Sequence, residues 1–206
     1  GGQGVGEATD KLLYGEVNPS GRLAETFPLR LEDNPSYLNF PGDGVNVDYA
    51  EGIYVGYRYY DARKMPVRWA FGHGLSYTEY EYSNLNMPAE SLDDKGCVKV
   101  TVDVKNRGSM VGKEVVQLYV SDKNGTAGRP VKELKGFAKV ELQPGETKTV
   151  EFALTARDLS FYHEGLGDWY APSGTYEVLI GHASDEIALR GELSFKTEKQ
   201  LPLYVS

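Results

Sequence analysis

The chain has 206 residues, 40% of them apolar and 25% charged, and its 22 basic and 30 acidic residues give a net charge of −8. These values are typical of a folded globular protein and exclude an intrinsically disordered chain. The acidic balance holds on both sides of Ser76, and no apolar run approaches the ~20 residues that span a bilayer, so neither a nucleic-acid nor a membrane partner is predicted. The single cysteine, Cys97, excludes an internal disulfide and a multi-cysteine metal site, and it leaves both a cytoplasmic and a secreted location open.

The first six residues are rich in glycine and read GGQGVG, without an initiator methionine or a signal region. We interpret the chain on this basis as part of a longer protein. Glycines before a helix could cradle an anion on free N–H groups. However, Glu7 stands where the third glycine of a G-x-G-x-x-G motif would be, which favours close packing as the explanation of these glycines.

A short helix, a turn and a strand are predicted to follow the glycines. Apolar residues recur with helical spacing from Val5 to Leu13, and Gly15 suits a left-handed helix end. Residues 18–21 (NPSG) predict a turn, and an extended stretch runs from Leu23 to Phe27. This order predicts that residues 1–28 are the tail of an α/β layer, too small to bury a core alone.

Residues 29–76 show no clear period and are rich in turn-forming residues. Seven aromatic residues fall within 23 positions, namely Tyr49, Tyr54, Tyr57, Tyr59, Tyr60, Trp69 and Phe71. Long segments without regular structure are uncommon unless they are functional or lie over another surface, and tyrosine and tryptophan suit an interface. Residues 29–76 are therefore predicted to be a linker that packs against another part of the protein.

From Tyr77 onward the apolar residues alternate with polar ones, as they do in half-buried strands. The pattern is clearest at Val98, Val100, Val102 and Val104. Further alternating stretches lie near residues 80–82, 116–120, 140–142, 150–154, 176–180 and 187–195, with turn-forming residues between them. Seven or so short antiparallel strands predict a mainly β fold, an immunoglobulin-like sandwich over residues 77–206.

The sequence offers few candidate metal-binding or nucleophilic residues. The histidines His73, His163 and His182 are far apart without metal-ligand spacing, and they are interpreted as turn or solvated residues. No G-x-S-x-G motif is present, and Cys97 is expected to be a partly buried small side chain rather than a reactive thiol. No metal site and no cofactor are predicted.

Two sequence features leave alternatives open. Glu51 is flanked by aromatic residues, as carboxylates in sugar sites often are, and a desolvated carboxylate there would have a raised pKa. An ion pair of Glu51 with Arg58 or Arg68 across an interface is the favoured alternative. Asn124-Gly125-Thr126 matches a glycosylation sequon, although Asn-Gly is also an ordinary turn.

Several long motifs resemble the C-terminal part of glycoside hydrolase family 3, in one order and over essentially the whole chain. The end of the family's second domain is similar to residues 12–15 (LLYG), 18–23 (NPSGRL) and 26–28 (TFP). Its linking segment is similar to residues 49–61 (YAEGIYVGYRYYD), and the entry to its fibronectin type III-like domain to residues 71–78 (FGHGLSYT). The match continues at residues 104–108, 112–119, 134–137 and 174–178, and bacterial β-glucosidases are the members most similar in these motifs.

The resemblance implies a retaining hydrolase of β-linked glucosides that works through a covalent glycosyl-enzyme intermediate. In this family the nucleophile is an aspartate of an N-terminal barrel, and the general acid is a glutamate of the second domain, ahead of the motifs found here. Neither motif is present in this chain, so no catalytic, substrate-binding or metal-binding residue is assigned. The partners implied are the barrel and the α/β domain of a parent enzyme.

Two functions follow for these 206 residues. In the first, the chain is a scaffold in which the aromatic segment packs against the catalytic domains while the sandwich braces them or forms a homodimer contact. In the second, it is a carbohydrate-binding module. A binding module needs two or three coplanar, exposed aromatic rings on the sandwich, whereas Phe152, Tyr176 and Phe195 fall in the inward phase of their strands. The sequence favours the scaffold.

Overall fold

A computed structural model describes residues 2–88 and 91–201. Gly1, the first residue of the glycine stretch, and residues 202–206, the end of the predicted sandwich range, lie outside the described residues. The amino-terminal segment, residues 2–76, contains five short elements: α1 (Val5–Leu13), β1 (Phe27–Pro28), a 3-10 turn (Leu31–Asp33), α2 (Tyr57–Arg63) and β2 (Val67–Trp69). Strands β1 and β2 pair in antiparallel orientation.

Helix α1 forms where the apolar spacing predicts it, and Gly15 adopts the left-handed φ of +75° expected after the helix end. No residue of α1 is buried. The predicted strand from Leu23 to Phe27 is wrong in extent, because only Phe27 and Pro28 pair with β2. Residue 23 instead bonds to the loop after β2: the Leu23 N–H donates to the His73 carbonyl, over 2.9 Å.

Strand β2 is missed by the sequence analysis, which assigns residues 29–76 no regular structure, and so is helix α2. Its seven residues read YRYYDAR and are dominated by aromatic side chains of modest helix propensity. The helix is too short to show a period, and only Tyr57 and Tyr60, three residues apart, are buried. Tertiary contacts of these two side chains, rather than local propensity, therefore hold this turn of helix.

The remaining residues form a β-sandwich. Its strands are β3 (Tyr80–Asn86), β4 (Ser91–Asp93), β5 (Cys97–Asn106), β6 (Gly112–Asp122), β7 (Glu133–Leu142), β8 (Thr147–Thr155), β11 (Gly174–Ala183) and β12 (Glu186–Lys196). One sheet has the order β4-β12-β11-β6-β7 and the other the order β3-β5-β8. All neighbours are antiparallel except β12 and β4, which run parallel. The predicted mainly β class and the sandwich are confirmed.

The core lies between the two sheets and is built from the alternating apolar residues. Val100, Val102 and Val104 of β5 are completely buried, and they face a sheet whose Val116, Leu118, Val178 and Ile180 are equally buried. Tyr176 and Phe195 are buried as their phase predicts, and Phe152 packs against the same cluster. At about 25 cal/mol per Å² of apolar surface removed from water, this cluster is the main source of stability.

Between β8 and β11 the structure contains a helical turn, α3 (Ala156–Leu159), and a hairpin of β9 (Phe161–His163) and β10 (Asp168–Tyr170). The alternation of residues does not reveal this hairpin, because its strands have only three residues each. Among the described residues, no helix has the length and apolar character needed to cross a membrane.

Candidate functional site at the joint between segment and sandwich

The amino-terminal segment and the sandwich meet at a buried carboxylate. Glu114 is the third residue of β6 and faces the core, in line with Val116, and none of its surface is exposed. The guanidinium of Arg22 hydrogen bonds Oε2 of Glu114, and the Arg22 side chain is only 11% exposed. Arg22 lies in an irregular stretch after α1, where the turn predicted at residues 18–21 does not form. A charge at a core position is stable only when it is paired, and here the segment supplies the partner.

Two sandwich side chains complete the coordination of this carboxylate. The Tyr82 hydroxyl donates to Glu114 Oε1 over 2.9 Å, and Nδ1 of His182 lies 3.0 Å from the same oxygen. Burial, and then the charge of Glu114, raise the pKa of Tyr82 far above its ordinary value, so its phenol stays protonated and keeps donating. We call Arg22, Tyr82, Glu114 and His182 the polar joint.

Backbone hydrogen bonds hold the segment in register with the polar joint. The Gly72 N–H donates to the Leu23 carbonyl over 2.8 Å, and the Ser184 N–H of the sandwich donates to the Phe71 carbonyl over the same distance. Gly72 has a φ of +85°, and a Cβ there would fall 2.4 Å from the Gln117 side chain. This position therefore requires glycine, both for its backbone conformation and for the close approach to β6.

An aromatic cluster forms the second half of the contact. The Tyr57 ring packs edge-on against Tyr119, with centroids 5.8 Å apart, and lies 5.1 Å from the Phe71 ring. The Tyr57 hydroxyl accepts a hydrogen bond from the N–H of Leu134, over 2.8 Å. Lys132 of the sandwich pairs with Asp61 of α2. Part of the aromatic segment thus packs on the sandwich of the same chain.

The three histidines do not form a site together. His73 is a turn residue, as predicted, and its carbonyl accepts from Leu23. Nδ1 of His163 accepts a local hydrogen bond from the Leu166 N–H over 3.3 Å. The prediction that His182 is solvated is wrong, because its ring approaches the buried Glu114 and only 23% of the side chain is exposed. Within residues 2–88 and 91–201 no cluster of His, Cys, Asp and Glu could hold a metal ion.

The expected ion pair of Glu51 does not form. Arg58 approaches Glu133, 3.6 Å away, and Arg68 lies over the Trp69 ring. Glu51 Oε2 is buried and has no hydrogen-bond partner among the described residues. The expectation for Cys97 is also wrong: this residue is exposed, because it begins β5 in the outward phase of the alternation.

The glycine stretch and the sequon give simpler results. A Cβ at Gly2, Gly4 or Gly6 would meet nothing within 4 Å, so contacts within the described residues do not explain these glycines by close packing. Asn124 lies in an exposed turn, where its Oδ1 accepts from the Thr175 N–H over 2.8 Å. This contact explains Asn124 as a turn residue and neither requires nor prevents its modification.

The exposed aromatic rings of the β9–β10 hairpin do not form a flat sugar platform. Tyr162 and Trp169 of the β9–β10 hairpin are 52% and 39% exposed, but their rings are inclined by 71°. The Arg157 guanidinium stacks on Trp169 at 3.1 Å from the ring centroid and covers one face of it. The coplanar arrangement that a carbohydrate-binding module needs is therefore absent from this hairpin.

Sequence reasoning missed the polar joint. From sequence, Arg22 and Glu114 have no role beyond their places in the family motifs at residues 18–23 and 112–119. One signal was available, because Glu114 occupies an inward position of the alternating strand that continues with Val116 and Leu118. A glutamate in that phase predicts a buried partner, although it does not identify that partner.

Comparison with known proteins gives two family matches and many relatives. Residues 1–57 match the model of the glycosyl hydrolase family 3 C-terminal domain, and residues 114–184 match that of the fibronectin type III-like domain. Thermostable β-glucosidase B of Acetivibrio thermocellus is 52% identical over 190 residues, which are 92% of this chain and 25% of the relative. A β-glucosidase of Kluyveromyces marxianus is 46% identical over 203 residues, 98% of this chain and 23% of the relative.

Solved structures give the same result. The chain superposes on a family 3 β-glucosidase of Bifidobacterium adolescentis with a TM-score of 0.88 and 38% identity, covering 94% of this chain and 28% of the other. For the Kluyveromyces marxianus β-glucosidase in complex with glucose the TM-score is 0.87 at 43% identity, with 93% and 23% covered. The chain thus spans about a quarter of the length of the relatives that it matches.

Proposed function

Because the chain belongs to the C-terminal part of glycoside hydrolase family 3, we propose that it braces the catalytic domains of a retaining β-glucosidase-like enzyme. The bonds broken would be β-glycosidic, by way of a nucleophilic carboxylate and a second carboxyl acting as general acid. Both groups would come from the remaining part of the enzyme. In this proposal residues 1–28 end the second domain, residues 29–76 link it to the sandwich, and residues 77–206 form the bracing domain.

The observation that carries the proposal is that the amino-terminal segment combines anchored and exposed residues. It is held to the sandwich by the buried pair of Arg22 and Glu114 and by the cluster around Tyr57. Elsewhere it exposes large apolar side chains, each at least 71% exposed: Leu13, Tyr14, Leu31, Leu38, Phe40, Val45 and Tyr49. Exposed apolar surface of this extent marks a site of protein contact.

Helix α1 illustrates the same point. It has nine residues, none of them buried, and an isolated helix of this length is marginal in water. Its apolar side chains need a packing partner, and the described residues bury none of them fully. Contact with the catalytic part of the enzyme would bury this face, and the polar joint would transmit the resulting order to the sandwich.

A direct experiment tests the absence of catalytic groups. The isolated chain, incubated with an aryl β-glucoside, is expected to give no turnover above buffer. Glu51→Gln serves as the decisive variant, because Glu51 is the carboxylate with aromatic neighbours in sequence. A rate in the parent chain that disappears in Glu51→Gln would show that the chain carries its own site.

Amide exchange tests the bracing role. In the isolated chain residues 2–76 are expected to exchange much faster than residues 97–195, because few contacts protect the segment on its outer side. Presence of the rest of the enzyme should slow exchange in the segment. Equal protection of both regions in the isolated chain would contradict the proposal.

A further inference from the structure

A cleft of about 630 Å³ opens beside the aromatic cluster, between the β1 region, α2 and the start of β7. Thr26, Asn34, Glu51 and Arg58 line it with polar groups, and Tyr57 and Leu134 form part of its apolar wall. It is separate from the polar joint, and the contacts between segment and sandwich do not fill it.

Two polar groups in this cleft lack the partners that burial demands. Thr26 is 8% exposed, and its hydroxyl oxygen is buried without a hydrogen bond to any described residue. Oε2 of Glu51 is in the same condition. An unsatisfied buried hydroxyl or carboxylate is costly, and the great majority of such groups in native proteins are paired. The cleft is therefore bordered by two oxygens that have no hydrogen-bond partner among the described residues.

The charge in the cleft selects a cation. Arg58 is the basic residue of the lining, and its guanidinium is directed to Glu133, 3.6 Å away. Glu25 and Glu51, the acidic residues of the lining, form no ion pair with any described residue. The remaining charge is negative, so a group that enters the cleft and donates hydrogen bonds should carry positive charge.

The rim of the cleft indicates a protein partner. Val55 lines it and is 49% exposed, and Ile53, two residues earlier, is 52% exposed. A cationic side chain carried on a protein surface would satisfy the buried acceptors while its backbone covers these apolar residues. The chain spans 25% of the length of a relative such as β-glucosidase B, so most of an enzyme of that size lies outside it.

We propose that the cleft receives a lysine or arginine side chain from the catalytic part of the same enzyme, with Glu51 as its ion-pair partner and Thr26 as a hydrogen-bond acceptor. This inference deepens the proposed bracing function and rests on it. Glu51 then acts as an anchor between domains and not in catalysis.

The test uses the opposite effect of one substitution in two contexts. In the isolated chain Glu51→Gln removes a half-buried charge that has no ion-pair partner among the described residues, so it should leave local stability unchanged or raise it. In the full-length enzyme the same substitution should leave the partner cation buried without its counter-charge. Loss of one member of such a pair costs about 2–5 kcal/mol. This corresponds to a loss of roughly 30-fold or more in the equilibrium between the docked state, in which the partner side chain occupies the cleft, and the undocked state.

The exchange rates of two backbone amides near Glu51 report on this docking equilibrium. The Gly52 N–H donates to the Tyr49 carbonyl over 3.1 Å, and the Tyr54 N–H donates to the Glu51 carbonyl over 3.0 Å. In full-length Glu51→Gln both amides should exchange roughly 30-fold faster than in the parent. In the isolated chain they should not exchange faster.

Glu25→Gln is the matched control, because Glu25 lines the same cleft but is exposed. It should change exchange by less than about threefold in either context. Thr26→Val is a second, milder variant that keeps the side-chain shape, and about fivefold faster exchange is expected in the full-length enzyme. The Thr26→Val variant keeps the inference testable if full-length Glu51→Gln does not fold.

Two outcomes would overturn the inference: unchanged exchange in full-length Glu51→Gln, or the same acceleration in the isolated chain. Failure of the proposed function has a different signature. It would appear as turnover of an aryl β-glucoside by the isolated chain, or as unchanged protection of residues 2–76 when the rest of the enzyme is present.

Discussion

Removal of Arg22 should destabilise the chain far more than removal of an ordinary surface arginine. The side chains of Arg22 and Glu114 are 11% and 0% exposed, so Arg22→Met leaves a carboxylate buried without its cation. Losing one partner of a buried pair costs about 3–5 kcal/mol. Because Tyr82 and His182 still contact the carboxylate, we expect the lower value, about 3 kcal/mol. That is a fall of roughly 100-fold in the folding equilibrium constant.

A double-mutant cycle of Arg22→Met and Glu114→Gln, measured by urea denaturation, isolates the interaction. We expect the double variant to be about 2 kcal/mol more stable than the sum of the single changes implies. The exposed pair of Glu7 and Lys11 on α1 is the control, and its coupling should not exceed about 0.5 kcal/mol. A coupling in the buried pair as small as that of the exposed pair would refute the reasoning.

Two further predictions concern the sandwich. Burial, and then the charge of Asp122, raise the pKa of Tyr176, whose hydroxyl donates to the Pro172 carbonyl, so its phenol stays neutral when the chain is folded. This contribution to stability is present below about pH 10, where unfolded tyrosine ionises, and is lost as the pH rises above it. Between pH 9 and pH 11 the parent chain should therefore lose about 1.4 kcal/mol more stability than Tyr176→Phe, and equal losses in urea titrations would contradict this. A Cβ at Gly181 of β11 would fall 2.4 Å from a backbone oxygen of β12, so Gly181→Ala should cost about 1–3 kcal/mol in the same assay. Gly21→Ala, where a Cβ meets nothing within 4 Å, should change stability by less than about 0.5 kcal/mol.

The sandwich could be predicted because its signal is repeated and local. The valines of β5 alternate with polar residues over a long strand, and the inward residues are the ones that the structure buries. Hairpin β9–β10 and helix α2 could not be predicted in the same way. Each strand of the hairpin is shorter than two periods, and α2 exists because Tyr57 and Tyr60 have tertiary contacts.

The polar joint could not be predicted because Arg22 and Glu114, the two members of its ion pair, are far apart in sequence. Ninety-two positions separate Arg22 from Glu114. The sequence near Arg22 gives no sign that its side chain will be buried, because residues 18–21 (NPSG) have the composition of a solvent-facing turn. The expected pairing of Glu51 with Arg58 or Arg68 failed for a related reason: proximity in sequence suggested a partner, but the fold directs Arg58 toward Glu133.

The buried carboxylate of Glu114 has a practical consequence for dissecting the gene. The two-residue alternation of apolar and polar residues begins just after Leu75, so the sandwich would ordinarily be expressed alone from about that position. Such a cut would discard Arg22 and leave an uncompensated negative charge inside an otherwise intact β-structure. A truncated chain that retains residues 18–23, or one that carries a neutral residue at position 114, avoids this unpaired charge. In electrostatic terms the domain therefore begins upstream of the position where the periodicity changes.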